Sequence, residues 1–372
     1  MDVEALRRAI AATSDWPAVV EGARRNRIAP AVLSSLRADA ASQIPADVLS
    51  ALRHDAVLAV SRSLGQIPAL ESLCATLTEA KIRFLIVKGL PLSFQLYGDP
   101  ARRCADDIDV LVAPDQFWQA DGALTQSGYR CTTELRPAAR YASYTYWIKD
   151  LTYTNKAFST SVELHHRLTA NPYLLEWPFD EIWNERVHVR IGQADVPTLP
   201  SGRLPLYLFA HGANHGWERL RWLLDLTAVL EGPTRVDAIV AEAEPLGLGP
   251  AMLQTLVLAH ELLGFPLAPQ VLDRAGKSLR VKWLDVCLNQ FRGRSLWRRR
   301  PPMKSWDWLW QFSVWFFIYN LSLKADWRYR AHQSAAMWIH PPDWNIIRLP
   351  PALFWLYPLI RPFIWMNRRW QK

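Results

Sequence analysis

Cysteine is scarce in this sequence, and its spacing disfavours the structures that depend on it. Only four of the 372 residues are cysteines, and none belongs to a C-x-x-C pair. A zinc ribbon or a disulfide scaffold would need paired cysteines, whereas scattered ones suit a reducing cytoplasm. The N-terminal segment MDVEALRRAIAATSDW also lacks the basic and apolar regions of a signal peptide and is predicted to form an amphipathic helix. We therefore expect a cytoplasmic protein.

Motifs of several common enzyme classes are missing as well. The chain has no G-x-x-x-x-G-K-[ST] motif, no G-x-G-x-x-G after a predicted strand and no G-x-S-x-G. These absences disfavour kinases and Ser-His-Asp hydrolases. The composition is otherwise that of a globular protein, with 50% hydrophobic and 21% charged residues. A chain of this length can form two or three subdomains with their own cores.

The most informative segment is residues 81–112. Asp107-Ile-Asp109 begins an apolar run typical of a β-strand, in which alternate side chains point to the same face. Two adjacent carboxylates repel each other unless a cation lies between them, and Mg²⁺ is bound by one or two carboxylates together with substrate phosphates. The pair therefore predicts a divalent-metal site. The alternative is a polar strand end in a βαβ unit or a hairpin.

A candidate phosphate-binding turn precedes this pair. KIRFLIV (81–87) is a predicted strand, and Lys88-Gly89 follows it directly before a short helix predicted at about residues 90–97. A glycine at the end of a strand lets backbone N–H groups approach a phosphate, and the N-terminus of the next helix favours negative charge. We expect the phosphate-binding turn and the metal-binding carboxylates to face one cleft.

A third carboxylate comes from FSTSVELHHRL (158–168). In the predicted strand Glu163 and His165 share one face. In metal-assisted phosphoryl transfer, an additional carboxylate completes the metal site or accepts the proton of the attacking hydroxyl. The alternative is that both side chains belong to the solvated face of an edge strand. The preceding segment 141–155 is rich in Tyr and Thr and is predicted to pair with 158–166.

Residues 203–231 are predicted to form one helix. Counted at 100° per residue, one stripe of this helix carries polar and aromatic side chains: His211, His215, Glu218, Trp222 and Asp225. Three interpretations are open. The two histidines are spaced for a zinc site, or they form a substrate-facing wall of the cleft, or the stripe is a structural polar network that packs the helix on the sheet.

The C-terminal part is rich in Trp, Arg and Pro. The segment 306–323 is strongly apolar but falls short of a membrane-spanning helix, and prolines interrupt 349–366. Trp and Tyr beside Arg favour the headgroup region of a bilayer, so one hypothesis is peripheral contact with the inner face of the membrane through 291–372. The alternative is a Trp-rich core. The formal net charge of +8 raises RNA as a partner, but no RNP motif or KH loop is present, so RNA is the weaker candidate.

The motifs together resemble one known family. They are Lys88-Gly89, Tyr97-Gly98-Asp99-Pro100, Arg103, Asp107-Ile-Asp109, Val-Glu163-Leu-His165-His and the later pattern His211, His215, Trp217, Leu220, Trp222, Asp225. This pattern resembles the bacterial uncharacterised nucleotidyltransferase family of the polymerase-β-like nucleotidyltransferase superfamily. The resemblance covers roughly residues 10–290. It implies an α+β fold, with a polymerase-β-like mixed sheet core flanked by N-terminal and C-terminal helical subdomains.

The resemblance also implies a reaction and the roles of residues in it. A nucleoside monophosphate would move from an NTP such as ATP to an acceptor hydroxyl or phosphate, with Mg²⁺ (or Mn²⁺) as cofactor and pyrophosphate as product. Asp107, Asp109 and Glu163 would be the catalytic and metal-binding carboxylates. The nucleotide-binding candidates are Lys88, Gly89, Ser93 and Arg103, and the candidates facing the substrate are His165, His211 and His215. Arg103 would neutralise the leaving pyrophosphate or pair with Asp106 or Asp107.

We expect four regions. Residues 1–79 would form a helical N-terminal subdomain, 80–200 the catalytic sheet, 201–290 a second helical subdomain and 291–372 the Trp/Arg/Pro-rich C-terminal region. The acceptor would be a small molecule, a glycan or a peptide, in polysaccharide or peptide natural-product biosynthesis, where members of this family are found. The alternative function is a non-catalytic nucleotide-binding or adaptor protein of a biosynthetic complex.

Overall fold

The fold is mixed α+β, with helices on both sides of a five-stranded sheet. The computed structural model describes residues 3–36, 43–100, 102–133, 146–230, 232–292, 306–339 and single positions or short runs between 346 and 364. The predicted fold class is confirmed for these residues.

Within the described residues, five helices precede the sheet: α1 (Val3–Ala11), α2 (Trp16–Asn26), α3 (Ala29–Ser35), α4 (Ala46–Leu64) and α5 (Ile67–Glu79). Prolines stand in the first turn of α2, α3 and α5, where the missing N–H has no helical partner to lose. The first four helices share a small core around Ile10 and Leu52. Helix α5 packs instead on the sheet, through Leu70, Leu73 and Leu77.

The sheet contains β1 (Phe84–Ile86), β2 (Asp107–Val112), β3 (Arg130–Cys131), β4 (Asp150–Thr154) and β5 (Ser161–His165), in the order β1-β2-β5-β4-β3. Strands β2 and β5 are parallel, and the other neighbours are antiparallel. The predicted pairing of 141–155 with 158–166 is confirmed for β4 and β5, while residues 141–145 lie outside the described residues. Because β5 lies in the middle of the sheet, the edge-strand alternative for Glu163 and His165 is wrong.

The two faces of the sheet differ in chemistry. The back is apolar and packs against α5 and α7 (Phe117–Gln126), which follows a 3-10 turn at Pro114–Gln116. The front is apolar at Leu85 and Leu111 and acidic where β2 begins. Helix α6 (Leu90–Tyr97) connects β1 to β2 and confirms the short helix predicted at about 90–97. The sequence alternation of β2 thus places its aspartates on the front face.

The remaining elements build the second half of the molecule. They are α8 (Phe179–Asn184), the hairpin β6 (Val187–Ile191) and β7 (Ala194–Thr198), α9 (Leu204–Asn214), α10 (Leu220–Val229), α11 (Pro233–Ala243), α12 (Gly249–Leu263), α13 (Pro269–Lys277), α14 (Leu279–Arg292), α15 (Trp306–Ser322) and α16 (Trp327–Trp338). Most of these helices share one large core with the front of the sheet.

The single helix predicted over 203–231 is wrong. The chain leaves the helix after Asn214, and Gly216 and Trp217 both have positive φ angles, 55° and 53°. The turn places the buried Trp217 ring against Gly212, where a Cβ atom would lie 2.2 Å from the ring. Burial of this large aromatic side chain outweighs the local preference for a continuous helix. The predicted segment therefore contains two helices, α9 and α10, which pack against each other on either side of this turn.

The C-terminal helices pack on the large core. Tyr319, Leu323 and Tyr329 are buried in it, and the Tyr329 hydroxyl donates a hydrogen bond to the Asn320 carbonyl at 2.7 Å. These helices do pack on the large core, but through Tyr and Leu, whereas Trp327 and Trp338 are 75% and 45% exposed, so the Trp-rich core alternative stays a prediction. Within the described residues, no helix has both the length and the apolar character needed to cross a membrane.

Candidate active site

The carboxylates of β2 and β5 meet on the front face of the sheet. Asp109 and Glu163 are direct partners in the parallel register of these strands, and Asp107 lies two residues earlier on the same face. The possible metal-ligand atoms of Asp109, Glu163 and His165 all lie within 4.8 Å of one another. The two motifs that the sequence placed 54 residues apart, D-x-D and Val-Glu-Leu-His, therefore form one cluster.

His165 lies between the carboxylates rather than in solvent. Its Nε2 atom is 3.2 Å from Asp109 Oδ1 and 3.3 Å from Glu163 Oε2. Its Nδ1 atom is 3.3 Å from Lys149 Nζ and 3.7 Å from Asp150 Oδ2. Only 3% of this residue is exposed, and its Nε2 atom, though close to both carboxylates, has no hydrogen-bond partner among the described residues.

Lys88 neutralises the buried end of the carboxylate cluster. Its Nζ atom lies 2.7 Å from Asp109 Oδ1. Burial alone would raise the pKa of Asp109, but Lys88 and His165 together hold this pKa well below its usual range. For Asp107 burial and the charge of Asp109 act in the same direction and raise the pKa. The two aspartates of the motif thus differ in how strongly they retain their negative charge.

Gly89 has a backbone conformation that favours glycine. Its φ and ψ angles are 74° and −138°, and it caps the N-terminus of α6. A Cβ atom here would lie 3.6 Å from the Asp107 carbonyl oxygen, so the obstacle to a side chain is backbone strain rather than crowding. The turn therefore brings the α6 N-terminus close to the start of β2.

Ser93 does not line the cleft. Its fully buried hydroxyl donates to the Asp99 carbonyl at 2.7 Å and accepts from the Arg103 N–H at 2.9 Å. Both hydrogen bonds stabilise the loop between α6 and β2. Ser93 therefore positions Arg103 and the start of β2. The sequence had instead suggested nucleotide binding for Ser93, because it lies four residues after Gly89.

Arg103 pairs with Asp225, so the expected pairing with Asp106 or Asp107 is wrong. Arg103 Nε donates to Asp225 Oδ2 at 2.8 Å, and the two side chains are 4% and 1% exposed. Asp106 forms an ion pair with Arg27 instead. The Arg103–Asp225 pair connects the loop before β2 to α10, and Asp225 therefore turns away from the cleft.

The cleft above the carboxylates has a volume of about 420 Å³ and carries more arginines than the motifs indicated. Arg27, Arg219 and Arg221 line it beside Lys88 and Arg103. Arg221 donates a hydrogen bond to the Cys104 carbonyl, and burial lowers its pKa to about 9. Two of these arginines could have been noticed in the sequence, because Arg219 and Arg221 come shortly after the turn at Trp217. These cations can neutralise a polyphosphate.

The two histidines of α9 line the cleft without joining the carboxylate cluster. The His211 and His215 rings are 4.9 Å apart, and each lies 5.1 Å from the Trp222 ring. Burial, followed by the charge of Lys88, lowers the pKa of His211 well below its usual value. Among the described residues, the one group that could hold a metal is Asp109, Glu163 and His165. The zinc interpretation of His211 and His215 therefore finds no support, and both histidines remain candidates for substrate contact.

The fold and the site together define a class. A mixed sheet that presents carboxylates to a cleft lined by cations is suited to enzymes that transfer phosphorus-containing groups. The family model of the uncharacterised nucleotidyltransferases matches residues 12–264, and the chain belongs to this family. The resemblance seen in the motifs is thereby confirmed, and the enzyme class is nucleotidyltransferase. Comparisons with curated proteins and with solved structures gave no match.

Proposed function

We propose that the protein moves a nucleoside monophosphate from an NTP to an acceptor hydroxyl or phosphate, with Asp107, Asp109 and Glu163 as its catalytic carboxylates. The observation that carries this proposal is the register of β2 and β5, which sets Asp109 beside Glu163. The Gly89 turn and the arginines of the cleft lie next to this pair.

The donor set fits a divalent cation. Carboxylate oxygens are the ligands that Mg²⁺ and Mn²⁺ prefer, and an imidazole nitrogen such as that of His165 suits Mn²⁺ better than Mg²⁺. Asp109, Glu163 and His165 are the side chains whose ligand atoms lie close enough together to hold the ion. Asp107, two residues before Asp109 on the same face, would join them. When bound, the ion would neutralise phosphate charge and orient the acceptor oxygen.

The chain's own side chains supply the remaining requirements of the reaction. The backbone N–H groups at the start of α6, next to Gly89, would bind the triphosphate. Arg219 and Arg221 would neutralise the charge that develops on the leaving pyrophosphate. Glu163 is 29% exposed, unlike Asp109 at 1%, and would accept the proton of the acceptor hydroxyl.

Calorimetry tests this proposal. ATP, CTP, GTP and UTP are titrated with and without Mg²⁺ into the wild type and the double variant Asp107→Ala/Asp109→Ala. We expect Mg²⁺-dependent binding of at least one NTP, which the double variant loses. Asp237→Ala, a change of an exposed aspartate on α11, should bind like the wild type. If no NTP binds, or the double variant binds normally, the proposal fails and the non-catalytic adaptor alternative is favoured.

The acceptor is proposed to be a small molecule, a glycan or a peptide rather than RNA. The cleft volume of about 420 Å³ suits a nucleotide and part of a small acceptor. Incubation of the enzyme with labelled NTP and either a cell extract treated with ribonuclease or purified RNA, followed by mass spectrometry, tests this choice. Label transferred only to RNA would contradict it. A place in polysaccharide or peptide natural-product biosynthesis stays a prediction.

Peripheral membrane contact through the C-terminal region also remains a proposal. Trp327, Leu359 and Phe363 are 75%, 61% and 66% exposed, and exposed aromatic and aliphatic side chains favour the bilayer interface. Flotation with anionic liposomes would compare the wild type with a variant carrying serine at these three positions. The exposed Leu279 of α14, changed to serine, is the control. Equal flotation of all three proteins, or of none, would contradict the proposal.

A further inference from the structure

A second cavity adjoins the proposed nucleotide cleft. Its volume is about 440 Å³, close to that of the cleft. Arg27, Arg103 and Arg221 border both spaces. A molecule held in this cavity would therefore lie on the other side of a shared arginine wall from the nucleotide.

The charged groups of the cavity are unequal in number. Among the described residues that line it, four are arginines, namely the three shared ones and Arg102, and one, Asp225, is a carboxylate. Asp225 is already paired with Arg103, and Arg27 is paired with Asp106. Arg221 forms no ion pair with any of the residues that the structure describes. The cavity therefore has positive charge available to an anion.

Two deeply buried polar atoms in this wall have no hydrogen-bond partner in the described structure. They are Nε of Arg221, a donor, and Oδ1 of Asp225, an acceptor. Buried polar atoms are normally paired, and leaving charged ones unpaired destabilises the protein. Neither atom has accessible surface in this structure, so a ligand that offers both an acceptor oxygen and a donor hydroxyl would satisfy them only after a small shift of the Arg221 and Asp225 side chains toward the cavity.

The rest of the cavity is apolar. Ile28 follows α2, Leu224 belongs to α10, and Phe265 follows α12. These side chains can cover the carbon skeleton of a ligand, as apolar walls do in small-molecule sites with a few polar anchors. The cavity thus combines an anion site, an acceptor for a hydroxyl and an apolar wall.

We propose that this cavity binds the acceptor substrate and that the acceptor is a hydroxylated phosphate monoester. The proposal rests on the nucleotidyltransferase function proposed above. A guanidinium group can donate two parallel hydrogen bonds to two oxygens of one phosphate. Arg102 and Arg221 are therefore the proposed ligands of the acceptor's phosphate. In the reaction an acceptor oxygen forms a bond to the α-phosphorus of the NTP, and the bond to the bridging oxygen breaks. Pyrophosphate leaves with the electron pair. The reacting oxygen would extend from the cavity past the shared arginines into the cleft, where its proton passes to Glu163, which lines the cleft and not the cavity.

Binding of small phosphate esters tests the proposal. Glycerol 3-phosphate, glucose 1-phosphate and inorganic phosphate are titrated into the full-length protein and followed by ³¹P NMR. The same samples are titrated with the four NTPs and Mg²⁺. We expect at least one ester to bind the wild type more tightly than inorganic phosphate, because only an ester can also reach Asp225 and the apolar wall.

Two variants act on the cavity and not on the cleft, since Ala228 and Arg102 line only the cavity. Ala228→Trp would fill it, and Arg102→Gln would remove one cation. We expect each to weaken ester binding by roughly tenfold or more while NTP binding stays within about twofold of the wild type. Ala238→Trp, the same change at an exposed alanine of α11, should alter neither. Circular dichroism confirms folding, and Arg102→Gln keeps the test valid if Ala228→Trp does not fold.

The outcomes separate the two proposals. If an NTP binds but no ester binds the wild type, or if both variants bind esters normally, the cavity proposal is overturned. It is also overturned if an NTP displaces the ester, because the phosphate site would then belong to the nucleotide. If the esters bind but no NTP does, the nucleotidyltransferase proposal fails and the acceptor role of the cavity fails with it.

Discussion

Lys88 Nζ and His165 Nε2 both approach one oxygen of Asp109. The distances to this Oδ1 atom are 2.7 Å from Lys88 and 3.2 Å from His165. The Lys88–Asp109 pair connects the second residue after β1 to the centre of β2, and the intervening Val87 N–H also donates to the Asp109 carbonyl at 3.0 Å. A metal ion at Asp109 would therefore share this carboxylate with a lysine or displace it. Lys88, expected from the sequence to face the triphosphate, has a second role in stabilising the carboxylate cluster.

The first prediction concerns this competition. Lys88→Met should increase the affinity for Mn²⁺ in the absence of nucleotide, because it removes the cation that neutralises Asp109. The melting temperature of the metal-free protein should fall, since the buried carboxylate loses its partner. The rise in melting temperature on adding Mn²⁺ should accordingly be larger than in the wild type. Electron paramagnetic resonance and thermal melts measure the two effects.

The control is Lys156→Met, because Lys156 is exposed beyond the end of β4. This variant should match the wild type in both measurements. Weaker Mn²⁺ binding by Lys88→Met than by the wild type would show that the lysine assists metal binding and would contradict the prediction.

The second prediction contrasts the two aspartates of β2. The pKa of Asp107 is raised, by burial first and then by Asp109, so its stabilising contribution is present at low pH and is lost as the pH rises through its folded-state pKa. Asp107→Asn should therefore be more stable than the wild type near pH 7. The pKa of Asp109 is lowered, so its contribution is present at neutral pH and is lost in acid. Asp109→Asn should destabilise the protein by about 3 kcal/mol near pH 7.

Both substitutions should lower the rate of pyrophosphate release by orders of magnitude, since each removes a proposed metal ligand. Urea denaturation between pH 5 and 8 measures the stability, and a coupled pyrophosphate assay measures the rate. Asp115→Asn, at an exposed site beside α7, should change neither. Destabilisation by Asp107→Asn at neutral pH would contradict the prediction.

The sequence predicted the acidic face because that face depends on local geometry. Alternation along a strand fixes the common direction of Asp107 and Asp109, and likewise that of Glu163 and His165. To place both pairs of side chains in one cluster, it was enough to assume that the two strands are neighbours in the sheet. The short helix after Gly89 could be predicted for the same reason, since a glycine directly after an apolar strand marks a turn between two local elements.

What the sequence could not predict depends on contacts between distant segments. Arg103 and Asp225 are 122 residues apart, and nothing near Arg103 distinguishes Asp225 from the closer Asp106. The end of α9 is set by the packing of Trp217 on Gly212, which a helical periodicity count ignores. The arginine wall of Arg27, Arg103 and Arg221 is likewise assembled from the residue after α2, the loop before β2 and α10.

The third prediction concerns the buried pair of Arg103 and Asp225. Asp225→Ala should lower the free energy of unfolding by about 3–5 kcal/mol, because it leaves a buried guanidinium without its carboxylate. Arg103→Met/Asp225→Leu should recover most of this loss, since apolar side chains of similar size can replace a buried ion pair. Urea denaturation of the single and double variants measures the coupling. If the double variant is at least as unstable as Asp225→Ala, the pair does not behave as a coupled unit.

The fourth prediction compares two glycines under the same substitution. Gly89→Ala should destabilise the protein by about 1–3 kcal/mol, because φ near 74° with ψ near −138° is strained for any residue with a Cβ atom. Gly122→Ala should instead stabilise it by roughly 0.5–1 kcal/mol, because Gly122 lies within α7 and a Cβ atom there meets nothing within 4 Å.

The same pair of variants separates backbone geometry from stability in nucleotide binding. Relief of the strain at position 89 would turn the backbone N–H groups at the start of α6, so NTP affinity should fall by roughly tenfold in Gly89→Ala, the loss of about one hydrogen bond. Gly122→Ala should bind NTP like the wild type. Calorimetry below the melting temperature of both variants measures this difference. Equal NTP affinity in Gly89→Ala and the wild type would mean that the Gly89 turn serves only to connect β1 to α6, and the triphosphate would have to be bound by the arginines of the cleft alone.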